Sequence, residues 1–141
     1  MDYSIRIAAW AELRADAMLI RNEVFVAEQR VPAELEMDDM DAVCAHAIAY
    51  DAAGMPLATG RLLPDGHIGR LAVRSRRRGQ GIGGAVLQAL MAVARQRGDR
   101  EVVLNAQTHA APFYGSHGFA REGEEFMEAG IPHIRMRAWL A

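Results

Sequence analysis

The sequence predicts a mixed α/β domain: a twisted, mostly antiparallel sheet of about six to seven strands flanked by about four helices, over residues 1–141 as a single domain. Three observations predict it. Three strand-like runs (44–50, 56–63 and 67–73) follow one another through short turns, which makes an antiparallel meander. A strand, a glycine loop, a helix and another strand then occupy 68–106, an order that implies a right-handed crossover and a parallel pair inside a mixed sheet. Two segments, 10–26 and 85–96, carry apolar residues at helical spacing.

Taken in order, Tyr3 to Ala8 alternates and reads as a first strand. From Trp10 to about Val26, the residues Leu13, Ala17, Ile20 and Val24 recur at spacings of four, three and four, so one helix face is buried. Pro32 ends any continuation. Between Pro32 and Cys44 lie Glu34, Glu36, Asp38, Asp39 and Asp41, which read mostly as a solvated loop, with one or two available to line an acidic rim for a cationic amine. Asp51-Ala52-Ala53-Gly54 is a hairpin turn, and Pro64-Asp65-Gly66 turns the chain again. After the glycine loop, Val86, Leu87, Leu90, Met91, Val93 and Ala94 form a wide apolar face, with Gly98 as the C-terminal stop. Glu101 to Ala106 reads as a strand, 110–118 as a short helix closed by Gly118, and Ile134 to Trp139 as the last strand.

Composition narrows the function classes. Half the residues are hydrophobic and the net charge is −2, which excludes general nucleic-acid affinity. The single cysteine, Cys44, precludes an internal disulfide and fits a reducing compartment as a buried thiol. No apolar run approaches the ~18 residues of a membrane span, and the first residues lack a targeting segment, so the expected location is cytoplasmic. His46 and His67 fall in strand-like runs as structural residues, and no grouping of His, Cys, Asp or Glu has metal-site spacing.

The stretch from Ile68 to Gln96 carries the chemistry. Its glycines accept positive φ and let a ligand approach the backbone, and the helix that follows aims free amides and its positive dipole end at the same point. Arg74, Arg76, Arg77 and Arg78 add charges that suit phosphate oxygens. A P-loop requires lysine, and all sixteen basic residues here are arginine. Gly79, Gly81 and Gly84 meet the dinucleotide pattern literally, but five residues separate them from the strand and too few strands follow. The pattern Arg/Gln-x-x-Gly-x-Gly/Ala is met by Arg78 to Gly83, and with Leu71-Ala72-Val73 before it, it resembles the acyl-CoA pyrophosphate loop of the GNAT superfamily of N-acetyltransferases. Ala111-Pro112-Phe113-Tyr114 followed by Gly118-Phe119 resembles the same family's Phe-Tyr helix. The stretch Arg21 to Pro32, with Glu34, Glu36, Asp38, His46 and Asn105-Ala106-Gln107, is similar to the ElaA-like subgroup.

The resemblance implies a GNAT fold with a splay between the fourth and fifth strands, acetyl-CoA as cofactor, and direct transfer to a small-molecule or peptide amine. It places the oxyanion donor among the backbone amides of Leu71, Ala72 and Val73, and a thiolate-protonating acid at Tyr114. It places CoA against Leu71, Val73, Arg78, Gly79, Gln80, Gly81, Ile82, Gly83, Gly84, Asn105, Phe113 and Tyr114. Phe25, Glu28, Gln29, Glu36 and His133 are candidates for the acceptor wall. Glu28, Glu36, Asp38, His133 or a water relay could be the base that the attacking amine requires. The exposed last strand of many GNAT proteins implies a homodimer. A non-catalytic acyl-CoA-binding module and a nucleotide-dependent oxidoreductase are the alternatives.

Overall fold

The computed structural model describes residues 2–140. The chain runs β1 (Tyr3–Ala9), α1 (Trp10–Arg21), α2 (Ala33–Glu36), β2 (Ala45–Asp51), β3 (Pro56–Leu62), β4 (Ile68–Val73), α3 (Ile82–Gln96), β5 (Glu101–Gln107), α4 (Ala111–Ser116), β6 (Ala120–Glu128) and β7 (Ile131–Trp139). Strands β1-β2-β3-β4 form one antiparallel sheet, and β5-β7-β6 form a second. The expected parallel pair of β4 and β5 reduces to one bridge, His67 to Val103, where the Val103 amide donates to the Gly66 carbonyl at 3.1 Å. Beyond that bridge the two strands part. The splay is therefore a gap between two sheets that touch at one end.

Two apolar clusters hold the layers. Ile82, Val86, Leu87, Leu90, Met91 and Ala94 of α3 pack on both sheets, against Ala47, Leu62, Val102, Leu104, Ile134 and Met136 among others. Leu13, Ala17, Ile20 and Val24 pack on Ile48 and Ala72 from the opposite side. Each fully buried Leu or Ile of this kind contributes about 1.5–3 kcal/mol. The α3 helix ends where Gly98 takes φ +93°, as its sequence predicts.

Three elements depart from the sequence expectation. The first helix does not run on regularly: from Asn22 to Glu28 it widens into π-helical turns, with the Gln29 amide donating to the Val24 carbonyl at 3.0 Å. Strand β6 lies within a segment that reads merely as a connection, because as an edge strand it exposes almost every side chain and shows no apolar alternation. A register shift around Gly123, at φ +77°, breaks its pattern further.

The third correction concerns the acidic segment: Glu34, Asp38 and Asp39 are exposed as expected, but Glu36 and Asp41 are buried. Glu36 and Asp41 are 2% and 3% exposed, and Arg21 beneath them is 1% exposed. The Arg21 guanidinium donates to Glu36 at 2.5 Å and to Asp41 at 2.9 Å, and stacks 5.3 Å from the Trp10 ring centre. Arg61 of β3 donates to Asp41 at 2.8 Å and to Asp38 at 2.7 Å. Arg70 of β4 donates to the Glu36 carbonyl at 2.9 Å and to Asp38 at 3.4 Å. Three arginines thus neutralise three carboxylates, which is what makes burial of the charges tolerable. Hydrogen bonds from Arg61 hold the Asp38 carboxyl at a pKa of about 2. Burial pushes Asp41 up, but hydrogen bonds from Arg21 and Arg61 outweigh it and leave that carboxyl lowered.

Removing one member should expose the cost of the others. Arg21→Met leaves Glu36 and Asp41 under-compensated in the interior and should destabilise the fold by about 3–5 kcal/mol in urea unfolding. A loss below about 1 kcal/mol would show that the network is not structural.

Candidate active site

The gap between β4 and β5 opens into a cleft of about 1380 Å³. One wall is a bulge. Thr59 faces Ala72 and Arg61 faces Gly69, so Gly60 alone stands opposite two residues of β4, Arg70 and Leu71. Arg70 takes φ +52°, a left-handed conformation that costs a non-glycine residue on the order of 1 kcal/mol or more. Its guanidinium, bonded to the Glu36 carbonyl at 3.1 and 2.9 Å, holds that conformation in place. Gly60 makes the packing behind it possible, since a Cβ there would come within 2.9 Å of Leu90 Cδ1 and 3.1 Å of Leu71 Cδ1. A bulge leaves part of the ladder unpaired and re-aims the backbone that follows, which here is Leu71, Ala72 and Val73.

The glycine loop forms the mouth. Gly79 and Gly81 take φ +76° and +81°, and Gly81 is the N-cap of α3. No acidic residue stands in the first turn of α3, so no side chain of that turn competes for its amides. A Cβ on Gly83 would sit 3.1 Å from Val73, and one on Gly84 would sit 2.8 Å from the His117 ring, so these two glycines fit the helix against β4 and α4. His117 also lies 3.0 Å from Gln88, which gives it a packing role between α3 and α4.

The arginine run is less free than its sequence suggests. Arg74 pairs with Glu23 at 2.9 Å, Arg77 with Asp2 at 2.9 Å, and Arg78 with Glu28 at 2.5 Å. Arg78 also donates to the Val73 carbonyl at 2.9 Å, tying the loop to the end of β4. Among the described residues only Arg76 of the four makes no ion pair. Gln80 turns back to Arg77 at 2.8 Å and does not line the cleft, unlike the other loop residues expected to meet CoA.

The far wall belongs to β5, α4 and the β6–β7 hairpin. Asn105, Phe113, Tyr114 and His133 all line the cleft. Tyr114 lies edge-on between Phe113 and Phe119, with ring centres 5.0 and 6.0 Å away. Its hydroxyl makes no hydrogen bond among the described residues, and burial pushes its pKa up to about 12, so it is a proton donor at any ordinary pH. Gln107 donates to Gln29 at 2.8 Å, which bridges β5 to the π-helical end of α1. Phe25, Glu28, Gln29, Glu36 and Asp38 line the same cleft from that side. The structure therefore brings the predicted donor-side and acceptor-side residues to one cavity. Sequence reading misses Arg70 and Gly60, and it notes Gln107 in the family resemblance without giving it a place in the site. Gly60, a glycine inside a strand pattern, is the one that carried a signal.

The chain from residue 11 to 140 matches the family model of the acetyltransferase (GNAT) domain. It is 42% identical to YjcF of Bacillus subtilis, an uncharacterized N-acetyltransferase, over 92% of this chain and 95% of that protein. A crystal structure of an acyl-CoA N-acyltransferase from Pseudomonas aeruginosa superposes with a TM-score of 0.84 at 36% identity, covering 96% of this chain and 99% of that one. Escherichia coli ElaA superposes with the same TM-score, 0.84, at 28% identity over 96% and 99% of the two chains.

The loop geometry gives a sharp test. Gly81→Val places a β-branched side chain at φ +81°, yet its Cβ would meet no protein atom within 4 Å, so packing is spared and the loop conformation is not. Acetyl-CoA affinity measured by calorimetry should fall by more than about tenfold, which is ~1.4 kcal/mol, with circular dichroism unchanged. Unchanged affinity would remove the loop from the binding site.

Proposed function

This chain belongs to the GNAT acetyltransferase family, and from that premise we propose that it moves an acetyl group from acetyl-CoA directly to an amine. The observation that carries the reading is the sharing of one cleft by the positive-φ glycine loop and an un-ionised, unpartnered tyrosine hydroxyl. The amides at the start of α3 and the open glycines make a cradle for a pyrophosphate, with Arg76 nearby in sequence for a further contact. When bound, acetyl-CoA supplies an activated thioester.

The protein's part is to bind, orient and move protons. Backbone amides in the Leu71 to Val73 stretch, re-aimed by the Arg70 bulge, receive the oxyanion of the tetrahedral state, and one such donor is worth about 3–4 kcal/mol. The Tyr114 hydroxyl gives its proton to the departing sulfur. The acceptor enters between the end of α1 and the β6–β7 hairpin, where Glu128 stands 51% exposed on the cleft wall, while Asp65, 64% exposed, lines the same cleft from the β3–β4 turn. That charge suits a small cationic amine or a lysine side chain. Screening polyamines, amino sugars and a lysine peptide for thiol release from acetyl-CoA tests the reading directly. Release with none of them, in a protein that binds acetyl-CoA, would favour a non-catalytic acyl-CoA-binding module.

Tyr114→Phe should reduce kcat on the order of 100-fold while leaving acetyl-CoA affinity within about twofold. Because the hydroxyl titrates near 12, its ionisation should cause no fall in wild-type rate at alkaline pH below that value. Undiminished kcat in the variant would exclude Tyr114 as the acid.

A further inference from the structure

Four side chains and a water relay compete for the role of base, and the structure separates them. Glu28 is engaged at both oxygens by Arg78, at 2.5 and 2.7 Å, and the hydrogen bond from Arg78 holds its carboxyl below the ordinary value. Asp38 is engaged at both oxygens by Arg61, at 2.7 Å each, and is pulled down to about 2. Glu36 is buried against Arg21, and its second oxygen has no hydrogen-bond partner. All three carboxylates are built into ion pairs. In each the arginine stabilises the charged carboxylate and so opposes proton uptake.

His133 differs in kind. It is 6% exposed, lines the cleft, and stands in β7 opposite Gln107 of β5 and Phe126 of β6. Its ring stacks on Phe126 with centres 5.9 Å apart. Nδ1 lies 2.7 Å from the carbonyl oxygen of Ile131. A carbonyl only accepts, so Nδ1 carries the hydrogen, and the neutral ring must then present Nε2 as a bare lone pair. Nε2 makes no hydrogen bond among the described residues, and the Glu128 carboxylate lies 3.5 Å away. Counted outward from the His67–Val103 bridge, Gln107 and its partner His133 stand about level with the Arg70–Leu71 bulge across the opening.

We infer that His133 is the general base of the transfer, its Nε2 taking a proton from the acceptor ammonium so that the freed nitrogen lone pair can attack the acyl carbon. The inference rests on the acetyl-transfer reading above. The nitrogen lone pair forms the N–C bond, the C–S bond breaks with its electron pair going to sulfur, and Tyr114 protonates the sulfur. The proton on Nε2 then passes to solvent, and the second proton, shed by nitrogen as the amide forms, restores the Tyr114 phenolate through solvent. Glu128 stabilises the imidazolium formed, while the Ile131 carbonyl keeps the ring in one orientation. The other charged groups around it are already satisfied: Arg135, two residues along β7, pairs with Glu122 at 3.1 Å, and Glu28 pairs with Arg78. Gln107 and Gln29 are neutral amides bonded to each other.

The test uses methylamine and hydroxylamine as probes, the first protonated at neutral pH and the second already neutral. Lowering the pH should reduce wild-type kcat/KM for methylamine, because a protonated Nε2 accepts nothing, beyond the loss that the amine's own protonation imposes on wild type and variant alike. His133→Asn keeps an N–H for the Ile131 carbonyl but has nothing at the Nε2 position. It should slow methylamine on the order of 100-fold, hydroxylamine by no more than about threefold, and flatten the acidic limb, with acetyl-CoA affinity unchanged. Equal slowing of both probes, or slowing of neither, overturns the assignment. So does a long-range ¹H–¹⁵N spectrum that shows His133 as the Nε2–H tautomer. A wild-type protein that binds acetyl-CoA and acetylates neither probe removes the acetyl-transfer reading, and the base with it.

Discussion

Arg21, Arg61 and Arg70, set against Glu36, Asp38 and Asp41, fix the place where β4 stops being a regular strand. The network joins α1, the α2 segment, β3 and β4, with Arg21, Glu36, Asp41 and Arg61 buried and Arg70 and Asp38 at its outer edge. Its outermost arginine occupies the left-handed bulge position. A strand left to itself would avoid that conformation; here the Glu36 carbonyl and the Asp38 carboxylate hold the guanidinium and so hold the backbone. The bulge in turn decides which way the amides after it point. An ion network that looks like a stability device is thus a device for aiming a backbone.

The cleft that results has two sides with different chemistry. On one side α3 and α4 bring glycine amides, arginines and a neutral tyrosine, which is an environment for phosphate and for a departing thiolate. On the other side the π-helical end of α1 and the β6–β7 hairpin bring carboxylates, glutamines and a histidine held in one tautomer. The sheets meet at a single bridge and part beyond it, so both sets reach the same space without either crossing the other.

What the sequence made legible was what local physics writes in short stretches. The glycine loop, α3 with its Gly98 stop, the β2–β4 meander and the Phe-Tyr helix each follow from local spacing and short turns, and all are present. Long-range pairing left no such mark. Glu36 and Asp41 look like any acidic loop until Arg21 and Arg61, twenty residues away on either side, are folded over them. For the same reason the arginine run reads as a free anion site, although Glu23 and Glu28, about fifty residues earlier, engage two of its members. Edge strand β6 was illegible because a strand packed on nothing needs no apolar alternation.

The most direct test of the account is thermal unfolding with and without acetyl-CoA, CoA and NADH, because a ligand at one hundred times its dissociation constant adds about 2.7 kcal/mol of stability. The account predicts a rise in Tm with acetyl-CoA and with CoA and none with NADH. No shift with either CoA species, or a shift with NADH alone, would contradict the assignment of the cleft and everything built on it.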